Sequence, residues 1–115
     1  MIVYGIKSCD TVKKSTEWLK GHKLQFEFHD YKSKGISKEK LREWTSQVSW
    51  EVLVNKKGTT WRNLDESVKN KIVDVESAVE LMKEHTSLIK RPVIEDNGQI
   101  IVVGFNEKEY AEKLS

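Results

Sequence analysis

Residues 92–103 read Pro92-Val93-Ile94-Glu95-Asp96-Asn97-Gly98-Gln99-Ile100-Ile101-Val102-Val103. Two β-branched, apolar runs flank an Asn-Gly pair. Both residues of such a pair tolerate positive φ, which a tight two-residue turn requires. The stretch therefore predicts an antiparallel hairpin with strands over 92–95 and 100–103. Pro92 opens the first strand, where a missing N–H costs least.

Downstream of the hairpin, Asn106 and Glu109 resemble a capping box with Asn in place of Ser or Thr. They start a last helix with Tyr110 and Leu114 facing inward. Upstream, residues 37–85 read as mostly helical. Ser37 caps a helix carrying Leu41, Trp44, Thr45 and Val48. Residues 50–54 are ambiguous between strand and short helix, and 64–72 suggest another helix. Asp74 caps a further one with Val75, Ala78, Val79 and Met82 inward.

The chain begins differently. Ile2-Val3-Tyr4, closed by Gly5, predicts a first, central strand. Residues 10–21 predict a helix with Val12, Thr16 and Leu19 on one side. Residues 24–29 alternate Leu24, Phe26 and Phe28 with polar neighbours and predict a second strand. Strand, helix, strand is one parallel crossover unit. A parallel pair, then an antiparallel hairpin and a final helix, is the thioredoxin-like (glutaredoxin-like) order. The predicted fold is α/β: a four-stranded mixed sheet with a helical insertion between the second and third strands. It forms one domain over 1–115, with the insertion at roughly 37–85.

Composition narrows the function. The chain has 115 residues and one cysteine, so an intramolecular disulfide framework and a cysteine-based zinc site are both excluded. A bilayer span needs about 20 consecutive apolar residues, and runs such as Ile100–Val103 are strand-sized. Without a leader-like N-terminus, a reducing cytoplasm is the expected compartment. The net charge is +2, distributed as +6 over residues 1–62 and −4 over 63–115. The lysines come singly or in pairs rather than in long blocks, so nucleic acid is not an expected partner and solvated helix faces are the favoured reading. His22, His29 and His85 show no metal-ligand spacing, so no metal is expected. The four tryptophans read as packing residues.

Cys9 follows the first strand and opens the first helix. Unpaired amides and the helix dipole favour thiolate there, and Lys7, Lys13 and Lys14 add positive charge nearby. A lone cysteine elsewhere would read as a small buried hydrophobe. Val12 stands where a Cys-x-x-Cys motif carries its second thiol. An oxidised Cys9 must then be released by an outside thiol, for which glutathione is the expected donor. Lys90-Arg91-Pro92 is a second constellation. A cis bond at Pro92 would bring this backbone toward the cysteine turn, with Arg91 as a cation beside the sulfur. A strand-opening proline beside an exposed arginine is the competing reading. The segment Asn55–Arg62, with Gly, hydroxyls and cations, has the composition of an anion-binding loop and of loops generally.

Several of these strings together resemble a known family. Cys9-Asp10-Thr11-Val12-Lys13-Lys14, Phe28-His29-Asp30-Tyr31-Lys32, Leu53 to Arg62, Ser87 to Val93 and Val103-Gly104-Phe105 are similar to the glutaredoxin-coupled arsenate reductase (ArsC-like) family. The likeness spans nearly the whole chain and is greatest to its YffB-like, Spx-related branch. It implies a thioredoxin-like fold, Cys9 as nucleophile and Arg91 beside a cis-Pro92. Lys7, Asp10, Thr11, Asn55, Arg62 and Pro92 are the matching candidates for binding substrate or glutathione. Arsenate reductases of this type use three arginines around the oxyanion, and Asn55 stands where one would be. The resemblance thus implies a glutathione-dependent reductase of a small thiol, disulfide or oxyanion, with glutaredoxin as a possible partner, and inefficient arsenate reduction. No bound cofactor is implied. The alternative is a Spx-like regulator that binds RNA polymerase without turnover. The Cys-x-x-Cys switch that the Spx-type regulators carry is removed here by Val12.

Overall fold

A computed structural model describes residues 1–114. The chain divides into two compact units: residues 1–34 with those from Arg91 onward, and residues 35–90.

The first unit is built on a sheet. Strand β1 (Ile2–Gly5) lies at its centre, as the apolar N-terminus predicts. Helix α1 (Asp10–Gly21) follows, burying Val12, Ser15 and Leu19. Thr16, expected on that inward side, is only half-buried, and its hydroxyl donates to the Lys13 carbonyl at 3.1 Å. Strand β2 (Glu27–Asp30) pairs in parallel with β1, Val3 opposite Phe28 and Tyr4 opposite His29. The expected strand over 24–29 is therefore displaced toward the C-terminus. Lys23 takes φ 58° and the Leu24 N–H donates to the Leu19 carbonyl, so the helix end absorbs these residues. The ladder begins only at Glu27, whose N–H reaches the Met1 carbonyl. The one-turn helix α2 (Tyr31–Lys34) follows directly and was not expected.

The hairpin forms as read. Strands β3 (Val93–Asp96) and β4 (Gln99–Val103) pair antiparallel, with a register shift at Ile94/Glu95. Asn97 and Gly98 both have positive φ, 52° and 80°. Strand β3 also pairs antiparallel with β1, giving the order β2-β1-β3-β4. The last helix spans Glu107–Leu114, and the Asn106 side chain accepts from the Glu109 amide at 3.0 Å. A core of Val3, Leu19, Ile94, Val102 and Tyr110 joins sheet and helices. Tyr110 is fixed within it by edge-on contacts with Trp18 and Phe105, and by hydrogen bonds of 2.9 Å with Ser15 and 2.6 Å to the Gly104 carbonyl.

The second unit is helical. Helix α3 (Lys38–Gln47) is capped by the Ser37 hydroxyl and buries Leu41 and Trp44. Helix α4 (Trp50–Leu53) is one turn, and Val54 then bridges to Ile89. The ambiguous run 50–54 thus ends as both helix and extended backbone. Residues expected to be loop include the helical turn α5 (Thr59–Arg62), while the helix expected over 64–72 shrinks to α6 (Glu66–Lys69). Helix α7 (Val75–Glu84) packs on α3 and carries a reciprocal Asp74–Ser77 capping box. Val75, expected inward, is 40% exposed because it is the first residue beyond the cap. Arg42 and Glu76 tie α3 to α7 with two exposed hydrogen bonds, 3.2 and 3.3 Å. A 3-10 turn, Thr86–Leu88, closes the unit. No helix among the described residues is long and apolar enough to cross a membrane.

Candidate functional site

Cys9 is the N-cap of α1, with extended backbone (φ −81°, ψ 125°) and its carbonyl accepting from Lys13 N–H at 3.0 Å. The turn is held by the Cys9 N–H, which donates to the Ile6 carbonyl at 3.1 Å. The side chain is half-buried. As a thiol it makes no capping hydrogen bond, yet the first-turn amides face it and favour the anion.

Four influences decide its ionisation. Partial burial pushes the thiol up. Against this act the Val12 amide, then Arg91 as hydrogen-bond donor and as charge, then the Thr11 amide. Together they hold the Cys9 thiol below its ordinary value. The cation that acts on the sulfur is Arg91. Lys7, Lys13 and Lys14 are exposed around the turn.

Arg91 comes from a segment far along the chain, just before β3. The peptide bond to Pro92 is cis, and Pro92 is buried with its carbonyl accepting from Gly104 N–H at 2.7 Å. Strand β3 begins at the next residue, so its pairing with β1 sets where the Arg91 loop stands relative to the β1–α1 turn. Tyr4 and Glu95 lie on the same two strands. Both are buried, and the Tyr4 hydroxyl donates to Glu95 Oε1 at 2.8 Å. Tyr4 is also flanked by the rings of His29 and Tyr31, at 4.8 and 6.3 Å.

Tyr31 is fully buried, and its hydroxyl has no hydrogen-bond partner among the described residues. Burial first, and then the neighbouring Tyr4 and Glu95, push it well above the ordinary tyrosine value, against an opposing pull from Arg91. Arg91 thus acts on the Cys9 thiol, which it pulls down, and on the Tyr31 hydroxyl, which burial holds well above its ordinary value. Nothing in the sequence marked Tyr4, Tyr31 and Glu95 as neighbours, because strand pairing and the α2 turn bring them together.

The structure therefore gathers Cys9, the Thr11 and Val12 amides, Arg91 and Pro92. Asp10 and Lys7 are exposed on the same turn. Asn55 and Arg62 belong to the helical unit. There the Asn55 N–H donates to the Leu88 carbonyl at 2.7 Å, and its Oδ1 accepts from Lys57 N–H at 3.2 Å. Gly58 lies beside it, where a Cβ would come within 2.8 Å of the Asn55 side-chain nitrogen Nδ2. Asn55 organises its own turn. Lys56 Nζ rests 5.7 and 5.6 Å from the Trp50 and Trp61 rings, and Arg62 is exposed at the end of α5. Among the described residues no group of three or more His, Cys, Asp or Glu is arranged to hold a metal ion.

The ArsC family model matches residues 4–113. An uncharacterised protein of Haemophilus influenzae is 50% identical over 108 residues, covering 94% of this chain and 93% of that protein. The solved structure of a YffB protein superposes with a TM-score of 0.92 at 46% identity, covering 99% of this chain and 98% of the other. A global transcriptional regulator, Spx of Streptococcus pyogenes, is 26% identical over 110 residues, or 94% of this chain and 80% of that protein. With a family match spanning nearly the whole chain and carried by the fold just described, this protein belongs to the ArsC family.

Proposed function

We propose that the protein is a cytoplasmic, glutathione-dependent reductase with Cys9 as its nucleophile. The observation that supports this best is the convergence of Arg91 and two first-turn amides on the sulfur of the chain's single cysteine. A thiolate is the attacking species in disulfide exchange. In the proposed cycle the Cys9 thiolate attacks one sulfur of a glutathione mixed disulfide. The S–S bond breaks and the substrate leaves as its thiolate, which takes a proton from water. Cys9 is now disulfide-bonded to glutathione. A second glutathione thiolate attacks that adduct, releasing oxidised glutathione and restoring the Cys9 thiolate. One free glutathione thiol is oxidised for each mixed disulfide reduced, the other half of the oxidised glutathione coming from the substrate.

Arg91 assists by favouring the thiolate that attacks and the thiolate that leaves. Pro92 and its neighbouring backbone are proposed to orient the glutathione moiety. Lys7, Asp10, Thr11, Asn55 and Arg62 are the further candidates for holding it, and glutaredoxin is a candidate partner. Of the chain's three arginines, Arg91 alone belongs to the unit that carries Cys9. Each missing charge-assisted contact costs an oxyanion about 1.5–3 kcal/mol, so arsenate is a poor substrate in this reading.

Glutathione-dependent reduction of hydroxyethyl disulfide by the wild type and by Cys9→Ser tests the proposal. Loss of turnover in the variant, with a glutathione adduct on the wild type by mass spectrometry, supports it. Equal turnover in both proteins removes it.

The likeness to Spx over nearly the whole chain supports a second reading, a regulator that binds a partner such as RNA polymerase without turnover. A partner captured equally by wild type and Cys9→Ser, with no disulfide reduction by either, would favour that reading.

A further inference from the structure

A groove of about 210 Å³ lies between α1 and β2, wholly within the sheet unit. Its floor is apolar: Val12, Phe26 and Phe28. Its rim carries Lys7, Lys13 and Lys20, all exposed. The last two are seven positions apart on α1, hence two turns apart on one face. Glu17 stands one turn from each, yet among the described residues none of the three lysines forms an ion pair. Three unmatched cations around an apolar floor are arranged for something anionic with an apolar part.

The groove's size and position narrow the occupant. Sites enclosing a free small ligand usually measure ~300–1,000 Å³, so this one suits a single side chain anchored by a longer strand of chain. It also begins beside the thiol. Val12 turns its amide to the Cys9 sulfur and its side chain into the groove floor. Lys7 is two residues before Cys9. A macromolecular substrate whose reacting sulfur meets Cys9 would run its flanking residues along this channel.

We propose that the α1–β2 groove docks an acidic segment of a protein substrate, an apolar side chain seated on Val12, Phe26 and Phe28 and flanking carboxylates on the lysine rim. The proposal rests on the reductase reading for its substrate class, and it makes that substrate a protein disulfide with acidic flanks.

The test uses Cys9→Ser protein, so that binding is read apart from chemistry. Three dye-labelled peptides without cysteine are titrated by fluorescence anisotropy: Asp and Glu around one Leu, Asp and Glu around one Ala, and Lys around one Leu. The acidic Leu peptide is expected to bind at least about fivefold more tightly than either other peptide, a gap that narrows at high salt. In Lys13→Glu/Lys20→Glu the acidic peptide should lose that lead and the basic peptide should gain. Circular dichroism of that variant checks that it is folded. Equal binding of all three peptides overturns the proposal. So does an acidic preference that survives the charge reversal, or displacement of the peptide by glutathione at equal concentration. If the peptides rank as expected but the wild type reduces no disulfide, the groove stands and the reductase reading falls.

Discussion

Arg91 holds the Cys9 thiol below its ordinary value, although one residue precedes β3 and the other caps α1. Parallel and antiparallel pairing on the two sides of β1 makes this possible. The β1–α1 turn and the start of the antiparallel β3 emerge at the same end of two adjacent central strands.

Removing that cation should move the thiol. Iodoacetamide labelling of wild-type Cys9 against pH is expected to show a midpoint below the ~8.5 of a free thiol. Arg91→Ala should raise the midpoint, since the two amides then oppose burial alone. Arg91→Lys should recover part of the difference, because charge is kept while the planar fork is lost. An unchanged midpoint in Arg91→Ala would take Arg91 out of the site.

The same shift links to stability. The folded-state Cys9 value lies below the unfolded one, so the folded protein binds fewer protons between the two. The thiolate's contribution is fully present above the unfolded value, and it fades as pH falls through the folded one. Thermal unfolding of wild type and Cys9→Ser should therefore diverge in favour of the wild type as pH rises from neutral toward about 9. Parallel Tm curves over that range would contradict it.

Two buried tyrosines should respond oppositely to losing a hydroxyl. Tyr110 is pushed up to about 12, chiefly by burial, and its hydroxyl bonds both Ser15 and the Gly104 carbonyl. Tyr110→Phe leaves those groups unmatched and should cost about 1–3 kcal/mol. Tyr31 has no such partner among the described residues, so Tyr31→Phe should be neutral or stabilising by up to about 1 kcal/mol. Urea denaturation of both variants measures the contrast, and equal losses would refute it.

Gly5 ends β1 against the Val12 side chain of α1. A Cβ there would sit 2.8 Å from Val12 Cγ2. Gly5→Ala should therefore destabilise by about 1–3 kcal/mol through overpacking. Because the Val12 amide serves the sulfur, the variant should also shift the Cys9 labelling midpoint upward. Gly5→Ala with an unaltered Tm would show that Val12 yields freely.

Much of the fold was legible because its signals are local. Asn97-Gly98 specifies a turn by its own backbone preferences, and Ser37 and Asp74 cap helices through their own side chains. The misplaced elements are those decided by neighbours. Leu24 and Phe26 alternate like strand residues, but the helix end at Lys23 uses their backbone. Val54 is extended because Ile89 pairs with it. In the candidate site, Cys9 and Arg91 could be picked out by residue type and context, and the cis bond at Pro92 agrees with that reading. Asn55 and Arg62 were carried by likeness, and the structure gives Asn55 a role in its own turn.

By itself the sequence determined the chemistry available: one thiol at a helix start, no second thiol to resolve it, and few arginines to hold an oxyanion. Those are properties of residue type and of spacing within a turn. Only the tertiary structure decided which groups act on that thiol. The Arg91 cation and the buried Tyr31 reach the site through strand pairing and the α2 turn, which join residues far apart in the chain. Electrostatic influence depends on distance and burial, and neither can be read along the chain.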